Sequence, residues 1–285
     1  TPIKSSAASD VYKRQNMKYA IQISGLRKNY GSTEVLKGID FQVKKGEIFG
    51  ILGVNGAGKT TTLECIEGFR GYDSGEISVD GKIGIQLQSA SLPAYIKAGE
   101  AVRLFAKWNH AKTDPARLSA LGILELEKKR YMELSTGQKR RLHLALALTG
   151  DPDILFLDEP TAGLDVEGRV SLHKEIFRLK EQGRTIVMAS HDMTEVENLC
   201  SRIAILNDGK IAFCGTTEEL AEKLGRHYDI RVITEQGEDA YCVEDIGEEL
   251  TKILEEYREK KMKVLDLKVN RGTLEQHFIR LTKGA

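Results

Sequence analysis

Residues 53–60 read Gly-Val-Asn-Gly-Ala-Gly-Lys-Thr, a glycine-rich loop that can surround a phosphate group. Its glycines allow tight turns that point backbone N–H groups at phosphate oxygens. Lys59 supplies a positive charge for the β- and γ-phosphates, and the hydroxyl of Thr60 can bind Mg²⁺. The apolar run Ile48–Gly53 and the helical spacing of Lys59–Gly68 predict the strand, loop and helix that this motif requires. The residues expected to hold the nucleotide are Gly53, Val54, Asn55, Gly56, Ala57, Gly58, Lys59, Thr60 and Thr61.

Two carboxylates and a histidine are predicted at the same end of a sheet. The continuous apolar run Ile154–Leu157 is typical of a strand buried on both faces, and Asp158 and Glu159 follow it directly. His191 follows a second such run, Thr185–Ser190. Because the carboxyl ends of parallel strands meet at one edge, these side chains should lie beside the phosphate loop.

A second anion site is predicted at residues 134–138, which read Leu-Ser-Thr-Gly-Gln and are called the signature segment below. Ser135 and Gln138 fit a capping box that begins a helix running to Leu148. The free N–H groups and the dipole of a helix N-terminus attract anions. Since the chain already has one phosphate site, this second site implies a second phosphate partner.

The order of these motifs resembles the ATP-binding subunit of an ABC transporter, over residues 17–215. The resemblance implies that Asp158 holds the Mg²⁺ shell, that Glu159 polarises the attacking water and that His191 contacts the γ-phosphate. It also implies a head-to-tail dimer, in which the signature segment binds the ATP held by the opposite subunit. The first glycine that usually follows the serine is Thr136 here, whereas Gly137 is retained.

Three further site residues rest on the same resemblance. Gln88 matches a glutamine that touches Mg²⁺ and the attacking water, although Gln86 lies on the same strand face and is the alternative. Asp165 matches a loop that crosses the dimer interface, and Tyr30 matches an aromatic residue that stacks on adenine. The expected catalytic residues are Lys59, Gln88, Glu159 and His191, and the expected Mg²⁺ ligands are Thr60, Gln88 and Asp158. The signature residues expected at the nucleotide are Leu134, Ser135, Thr136, Gly137 and Gln138.

Alternating strands and helices predict an α/β fold with a mainly parallel core sheet, as in a phosphate-loop NTPase of the ABC type. Ala20–Leu26 and Gly38–Val43 predict an antiparallel edge, and an inserted helical segment is expected from about residue 92 to 150. The expected domains are an ATP-binding domain at 17–216 and a small α+β accessory domain at 217–285.

The first sixteen residues are expected to be foreign to the native protein. Residues 9–15 read Ser-Asp-Val-Tyr-Lys-Arg-Gln, which back-translates to a sequence resembling a transposon end used to build sequencing libraries. We hypothesise that the native chain begins at Met17, the alternative being a polar tail. Finding this segment in the genome would contradict the hypothesis.

Composition restricts the partners. Lys plus Arg and Asp plus Glu both number 42, so no overall basic field favours nucleic acid. The scattered cysteines predict neither disulfides nor a zinc site, and no run is long and apolar enough to span a bilayer. The resemblance then implies a homodimer, or a pair with a related subunit, on the cytoplasmic face of the membrane beside a separate permease.

Two other functions remain open from the sequence. Soluble ABC ATPases act in translation or DNA repair, but these usually carry two cassettes or a long coiled coil, and this chain has neither pattern. A module that binds ATP only as a structural ligand would not need the complete set of hydrolytic residues. Residues 272–282 resemble the closing segment of ABC-2 exporters, including drug and antibiotic efflux systems, which favours export.

Overall fold

The structure, a computed structural model, describes residues 18–86, 92–223, 228–243, 245–271 and 274–283. It divides the chain into two compact units, one ending at Cys214 and the other beginning at Gly215. The strands of the first unit are β1 (Tyr19–Tyr30), β2 (Thr33–Lys44), β3 (Ile48–Leu52), β4 (Ser74–Val79), β5 (Ile83–Gln86), β6 (Ile154–Asp158), β7 (Thr185–Ala189), β8 (Arg202–Asn207) and β9 (Lys210–Gly215). Its helices are α1 (Lys59–Ile66), α2 (Ala98–Trp108), α3 (Pro115–Ala120), α4 (Thr136–Ala147), α5 (Val166–Glu181) and α6 (Met193–Leu199).

The central sheet has the strand order β5-β6-β7-β3-β8-β9. The neighbours from β5 to β8 pair in parallel, so their carboxyl ends lie at one edge. Every residue of β3, β6 and β7 is buried, as expected for strands that are covered on both faces. This confirms the predicted parallel core and brings the ends of β3, β6 and β7 together.

The two faces of the central sheet pack in different cores. Phe156 and Val187 point into a core shared with α1 and with the antiparallel sheet β2-β1-β4. Leu155 and Ile186 point the other way, into a core shared with α2, α4 and α5. This alternation follows from the two-residue period of a strand. It fixes α1 on one side of the sheet and α4 and α5 on the other.

Strands β8 and β9 were not expected from the sequence. They are joined by Asp208 and Gly209, whose φ angles of 45° and 72° are both in the left-handed region. An Asp-Gly pair with these angles is the usual two-residue turn of a hairpin. The Asp-Gly pair in the sequence therefore indicates a hairpin made of β8 and β9. Strand β8 pairs in parallel with β3, on the side opposite β7.

The second unit is a small α+β structure. Its elements are α7 (Thr217–Lys223), β10 (Tyr228–Thr234), β11 (Gly237–Val243), α8 (Ile246–Glu259), β12 (Val264–Arg271) and α9 (Leu274–Lys283). Its sheet has the order β11-β10-β12 and is antiparallel, and Ile230, Val232, Ile253 and Tyr257 form the buried core. The edge strand β11 was not expected, because its residues are mostly exposed and have no apolar alternation. Within the described residues, no helix is both long and apolar enough to cross a membrane.

Candidate functional site

The phosphate loop connects the end of β3 to the start of α1. A Cβ atom added to Gly53 would lie 2.6 Å from the carbonyl oxygen of Leu206, so only glycine fits between the loop and β8. Gly58 caps α1 with a φ of 106°, which side chains other than glycine rarely adopt. The Nζ of Lys59 donates to the carbonyl oxygens of Gly53 at 2.7 Å and Val54 at 3.3 Å. The loop therefore holds the ammonium group beside its own backbone.

A cavity of about 470 Å³ opens in front of the phosphate loop. It brings together residues that are far apart in the sequence and that come from β1, the loop, β6 and the end of β7. Half of the predicted site residues line this cavity, whereas Gly53, Val54 and Ala57 belong to the loop but are not among the lining residues. The lining residues are Tyr30, Val35, Asn55, Gly56, Gly58, Lys59, Thr60, Thr61, Asp158, Glu159 and His191.

The charged groups of this cavity are desolvated. Asp158 is the last residue of β6 and is only 8% exposed; burial raises the pKa of its carboxyl, and the neighbouring charge of Glu159 raises it further. Burial lowers the pKa of Lys59, while the charges of Glu159 and Asp158 oppose that shift. A cation beside Asp158 would relieve the cost of keeping two adjacent carboxylates ionised.

Glu159 and His191 contact each other directly. The Nδ1 of His191 lies 2.8 Å from Oε1 of Glu159, so a proton on Nδ1 is donated to the carboxylate. The histidine side chain is 67% exposed and the glutamate side chain 11% exposed. Glu159 has a φ of 48°, which costs a non-glycine residue about 1–2 kcal/mol. This strained backbone turns its side chain from the end of β6 towards His191.

Tyr30 lies at the end of β1 and is half exposed. The Nζ of Lys28 lies 5.6 Å from the ring centroid, and the guanidinium carbon of Arg70 lies 5.2 Å from it. Arg70 is itself held by Glu64 through a contact of 2.5 Å between Nε and Oε2. These contacts place an aromatic ring at the rim of the cavity and restrict its motion.

The signature segment begins α4 with the predicted capping box. Ser135 Oγ accepts from the backbone N–H of Gln138 at 3.3 Å, and Gln138 Oε1 accepts from the N–H of Ser135 at 3.1 Å. Leu134 is buried beneath this turn. Thr136 is exposed, so a side chain in place of glycine has room at this position.

The signature segment lines a second, smaller cavity of about 290 Å³. Asp165 lies in the same cavity and caps α5 by accepting from the N–H of Gly168 at 2.9 Å. Among the described residues, this cavity shares no lining residue with the phosphate-loop cavity. The structure thus separates the predicted site residues into two groups. The second group is Ser135, Gly137, Gln138 and Asp165.

Gln88, the glutamine expected to touch Mg²⁺ and the attacking water, lies outside the described residues. Gln86 is 1% exposed at the end of β5, and neither of its amide atoms has a hydrogen-bond partner in the described part of the chain. Glu67, at the end of α1, was not predicted; burial, followed by the charges of Asp158 and Glu64, raises its pKa to about 7. No motif in the sequence indicates Glu67, because its burial depends on tertiary packing.

Known proteins are similar in sequence to this chain. A family model described as ABC transporter matches residues 36–162, and one described as AAA domain, putative AbiEii toxin, Type IV TA system, matches residues 128–197. The linearmycin resistance ATP-binding protein LnrL of Bacillus subtilis (strain 168) is 36% identical over 241 residues, covering 78% of each protein. The Nod factor export ATP-binding protein I of Paraburkholderia xenovorans (strain LB400) is 36% identical over 225 residues, covering 72% of this chain and 74% of that protein.

Solved structures agree on the fold. The structure of an ATP-binding subunit of an ABC transporter superimposes with a TM-score of 0.65, at 24% identity, and covers 72% of this chain and 93% of that one. The family model, the relatives and the geometry of the phosphate loop all point to the same class of protein. The chain therefore belongs to the ATP-binding proteins of ABC transporters and is an ATPase of that family.

Proposed function

We propose that two copies of this chain bind two ATP molecules between them and hydrolyse them to drive export through a separate membrane protein. The observation that carries the proposal is the separation of the phosphate-binding groups into two cavities. A nucleotide bound on the phosphate loop of one copy is completed by the signature segment of the other. The helix N-terminus at Ser135 supplies the N–H groups and the positive dipole that suit a γ-phosphate.

The residues that line the larger cavity support a role in hydrolysis. The loop N–H groups and Lys59 bind the phosphates in the ground state and in the transition state. Glu159 takes a proton from the attacking water, and His191 holds that carboxylate through the 2.8 Å contact and faces the γ-phosphate. Both the exposed imidazole and the buried carboxylate line the cavity in which the attacking water would react.

The same cavity suits Mg²⁺. Thr60 offers a hydroxyl at the start of α1, and Asp158 offers a buried carboxylate whose raised pKa a cation would lower. Mg²⁺ in nucleotide sites is bound by one or two protein oxygens together with phosphate oxygens and water. Thr60, Asp158 and Gln88 would hold the ion, which would neutralise charge on the phosphates when bound. Tyr30 would stack on the adenine at the rim of the cavity.

Export is supported by the named functions of the relatives. One is a linearmycin resistance ATP-binding protein and the other a Nod factor export ATP-binding protein, and both are similar over most of the chain. A subunit of this kind lies against the cytoplasmic face of the membrane, bound to a permease. Translation and repair roles have no comparable support. The substrate is chosen by the permease.

Replacing Lys59 by Ala should weaken nucleotide binding itself. A hydrogen bond to a charged group contributes about 1.5–3 kcal/mol, which corresponds to a loss of affinity of about 10- to 150-fold. In light scattering with Mg²⁺ and a slowly hydrolysed ATP analogue, the unmodified chain should double its mass from 31.7 kDa. The variant should remain at 31.7 kDa at the same nucleotide concentration. A normal affinity in this variant would show that Lys59 does not bind the phosphates.

The surface for the permease is proposed around Tyr95, which is 71% exposed. Met132 lies beside it, since the N–H of Met132 donates to the carbonyl of Ala94 at 3.0 Å, and it is also exposed. Leu92 and Ile96 instead pack partly buried against the helical core. In the segment 92–96, Leu92 and Ile96 therefore support the fold, whereas Tyr95 faces outward.

Replacing Tyr95 and Met132 by Glu should leave the isolated subunit folded and active but prevent it from co-purifying with its permease. Trp108 provides a matched control, because it is 75% exposed on the same insert but about 15 Å along α2 from Ala98. Its replacement by Glu should leave complex formation unchanged. If the Tyr95 and Met132 variant co-purifies normally, the surface that contacts the permease lies elsewhere. If the variant does not fold, these two residues are needed for packing instead.

A further inference from the structure

A buried polar network lies behind residues Ser190–Asp192, called the switch segment below. Ser190 is fully buried, and its Oγ donates to Oε2 of Glu195 at 2.7 Å. The same Oγ accepts from the N–H of Asp192 at 3.1 Å, and Asp192 Oδ1 accepts from the N–H of Glu195 at 3.0 Å. His191 therefore lies between Ser190 and Asp192, which are hydrogen-bonded to Glu195 and to each other.

The network extends to α5. The second oxygen of Glu195, Oε1, lies 3.5 Å from Nε2 of His173, and neither atom has a hydrogen-bond partner in the described part of the chain. One turn earlier on α5, Arg169 pairs with Asp192 through a contact of 3.4 Å. Residues four apart on a helix share one face, so the same face of α5 meets Asp192 of the switch segment and Glu195 of α6. This helix begins directly after Asp165.

Glu195 lies in the first turn of α6, where the helix dipole favours a carboxylate, but that position does not require the side chain to be buried. Its side chain is 1% exposed, and a buried carboxylate is costly unless its oxygens are fully paired. Replacing buried ionic groups by apolar side chains is often neutral or stabilising. Here one oxygen is bonded to Ser190, while the other faces an imidazole beyond normal hydrogen-bond distance. A role in holding the switch segment accounts for this arrangement.

The imidazole of His191 depends on its backbone for its position. It is 67% exposed, so few packed neighbours hold it, and Glu159 is its hydrogen-bond partner. A rotation of the peptide groups on either side would carry the ring away from Glu159. The hydrogen bonds around Ser190 and Asp192 resist that rotation from behind the segment.

We propose that Glu195 is a positioning residue for His191, acting through its hydrogen bond to Ser190. The inference rests on the proposed role of His191 in hydrolysis. Glu195 touches neither nucleotide nor water in this account; it fixes the backbone from which the imidazole reaches Glu159. The contact of Arg169 with Asp192 also links the switch segment to α5, the helix that begins directly after Asp165.

Replacing Glu195 by Ala should lower kcat about 10- to 100-fold, since a displacement of about 1 Å at a reacting group costs about 100-fold in rate. The affinity for a fluorescent ATP analogue should stay within about threefold. Glu195→Gln retains an oxygen that can accept from Ser190, so it should keep most of the turnover. Glu47→Gln is the matched control: Glu47 is 8% exposed, precedes β3 and is bonded to Arg202 at 3.0 Å. Its turnover should be unchanged.

A spectroscopic readout separates positioning from general destabilisation. In the full chain labelled with ¹³C-histidine, the ring signal of His191 is assigned by its loss in His191→Ala. Glu195→Ala should shift that signal, whereas Glu47→Gln should not. An unmoved His191 signal, or a kcat equal to that of the unmodified chain, would overturn the inference. If His191→Ala itself hydrolyses ATP normally, the proposed role of His191 fails instead.

Discussion

Replacing Glu159 by Gln is expected to lower ATP turnover about 100-fold or more while nucleotide affinity stays within about threefold. Glutamine has the shape of glutamate but cannot take a proton from water. The side chain is 11% exposed and bonded to His191, so the amide should occupy the same place. Lys59 and the phosphate loop, which bind the ground state, are untouched by this change.

The same variant should accumulate as a closed dimer. Because both phosphate sites fill before the water reacts, a chain that cannot hydrolyse ATP keeps the two copies together. Light scattering with ATP and Mg²⁺ should then give twice the monomer mass of 31.7 kDa, and removal of nucleotide should restore the monomer. Glu47→Gln makes the same chemical change in another buried carboxylate and should behave as the unmodified chain. Unchanged turnover in Glu159→Gln would assign the base to another group.

Replacing Ser135 by Arg is expected to abolish hydrolysis while each monomer still binds ATP. The arginine side chain would fill the cavity of about 290 Å³ in which a partner's phosphate is proposed to bind. It would not reach the phosphate-loop cavity, which among the described residues has no lining residue in common with it. The variant should therefore bind ATP with normal affinity and show no ATP turnover.

The control for this variant is Ser135→Ala. Both changes remove the hydroxyl that caps α4, at a cost of about 1 kcal/mol, but only arginine blocks the cavity. The alanine variant should keep much of its turnover and the arginine variant none, with equal affinity for a fluorescent ATP analogue. Normal hydrolysis by Ser135→Arg would mean that the signature segment does not complete a shared site.

The phosphate loop and the central strands could be predicted because their determinants are local. A strand, a glycine loop and a helix follow one another between Ile48 and Gly68, and the apolar runs before Asp158 and His191 are continuous. The capping box at Ser135 is also local, because its donor and acceptor are three residues apart. In each case the local pattern and the tertiary structure favour the same conformation.

Other features depend on contacts that no local pattern reveals. Glu159 has a left-handed conformation and is hydrogen-bonded to His191. The two residues follow different strands of the sheet, so no local pattern in the sequence shows this contact. Burial of Glu67 and Glu195 follows from packing against distant elements, as the contact between Glu195 and His173 shows. Strand β11 was missed because its residues are exposed, and exposed strands lack the apolar alternation that identifies a strand.

The central claim is that the phosphate loop of one copy and the signature segment of another form one catalytic site. Equal amounts of Lys59→Ala and Ser135→Arg chains, each inactive alone, test it directly. Only a mixed dimer contains an intact site, because one of its two sites carries both defects and the other neither. The mixture should therefore recover ATP turnover that neither variant has alone, up to about a quarter of that of the unmodified chain when the two chains pair at random. Turnover no greater than the sum of the separate variants would contradict the claim.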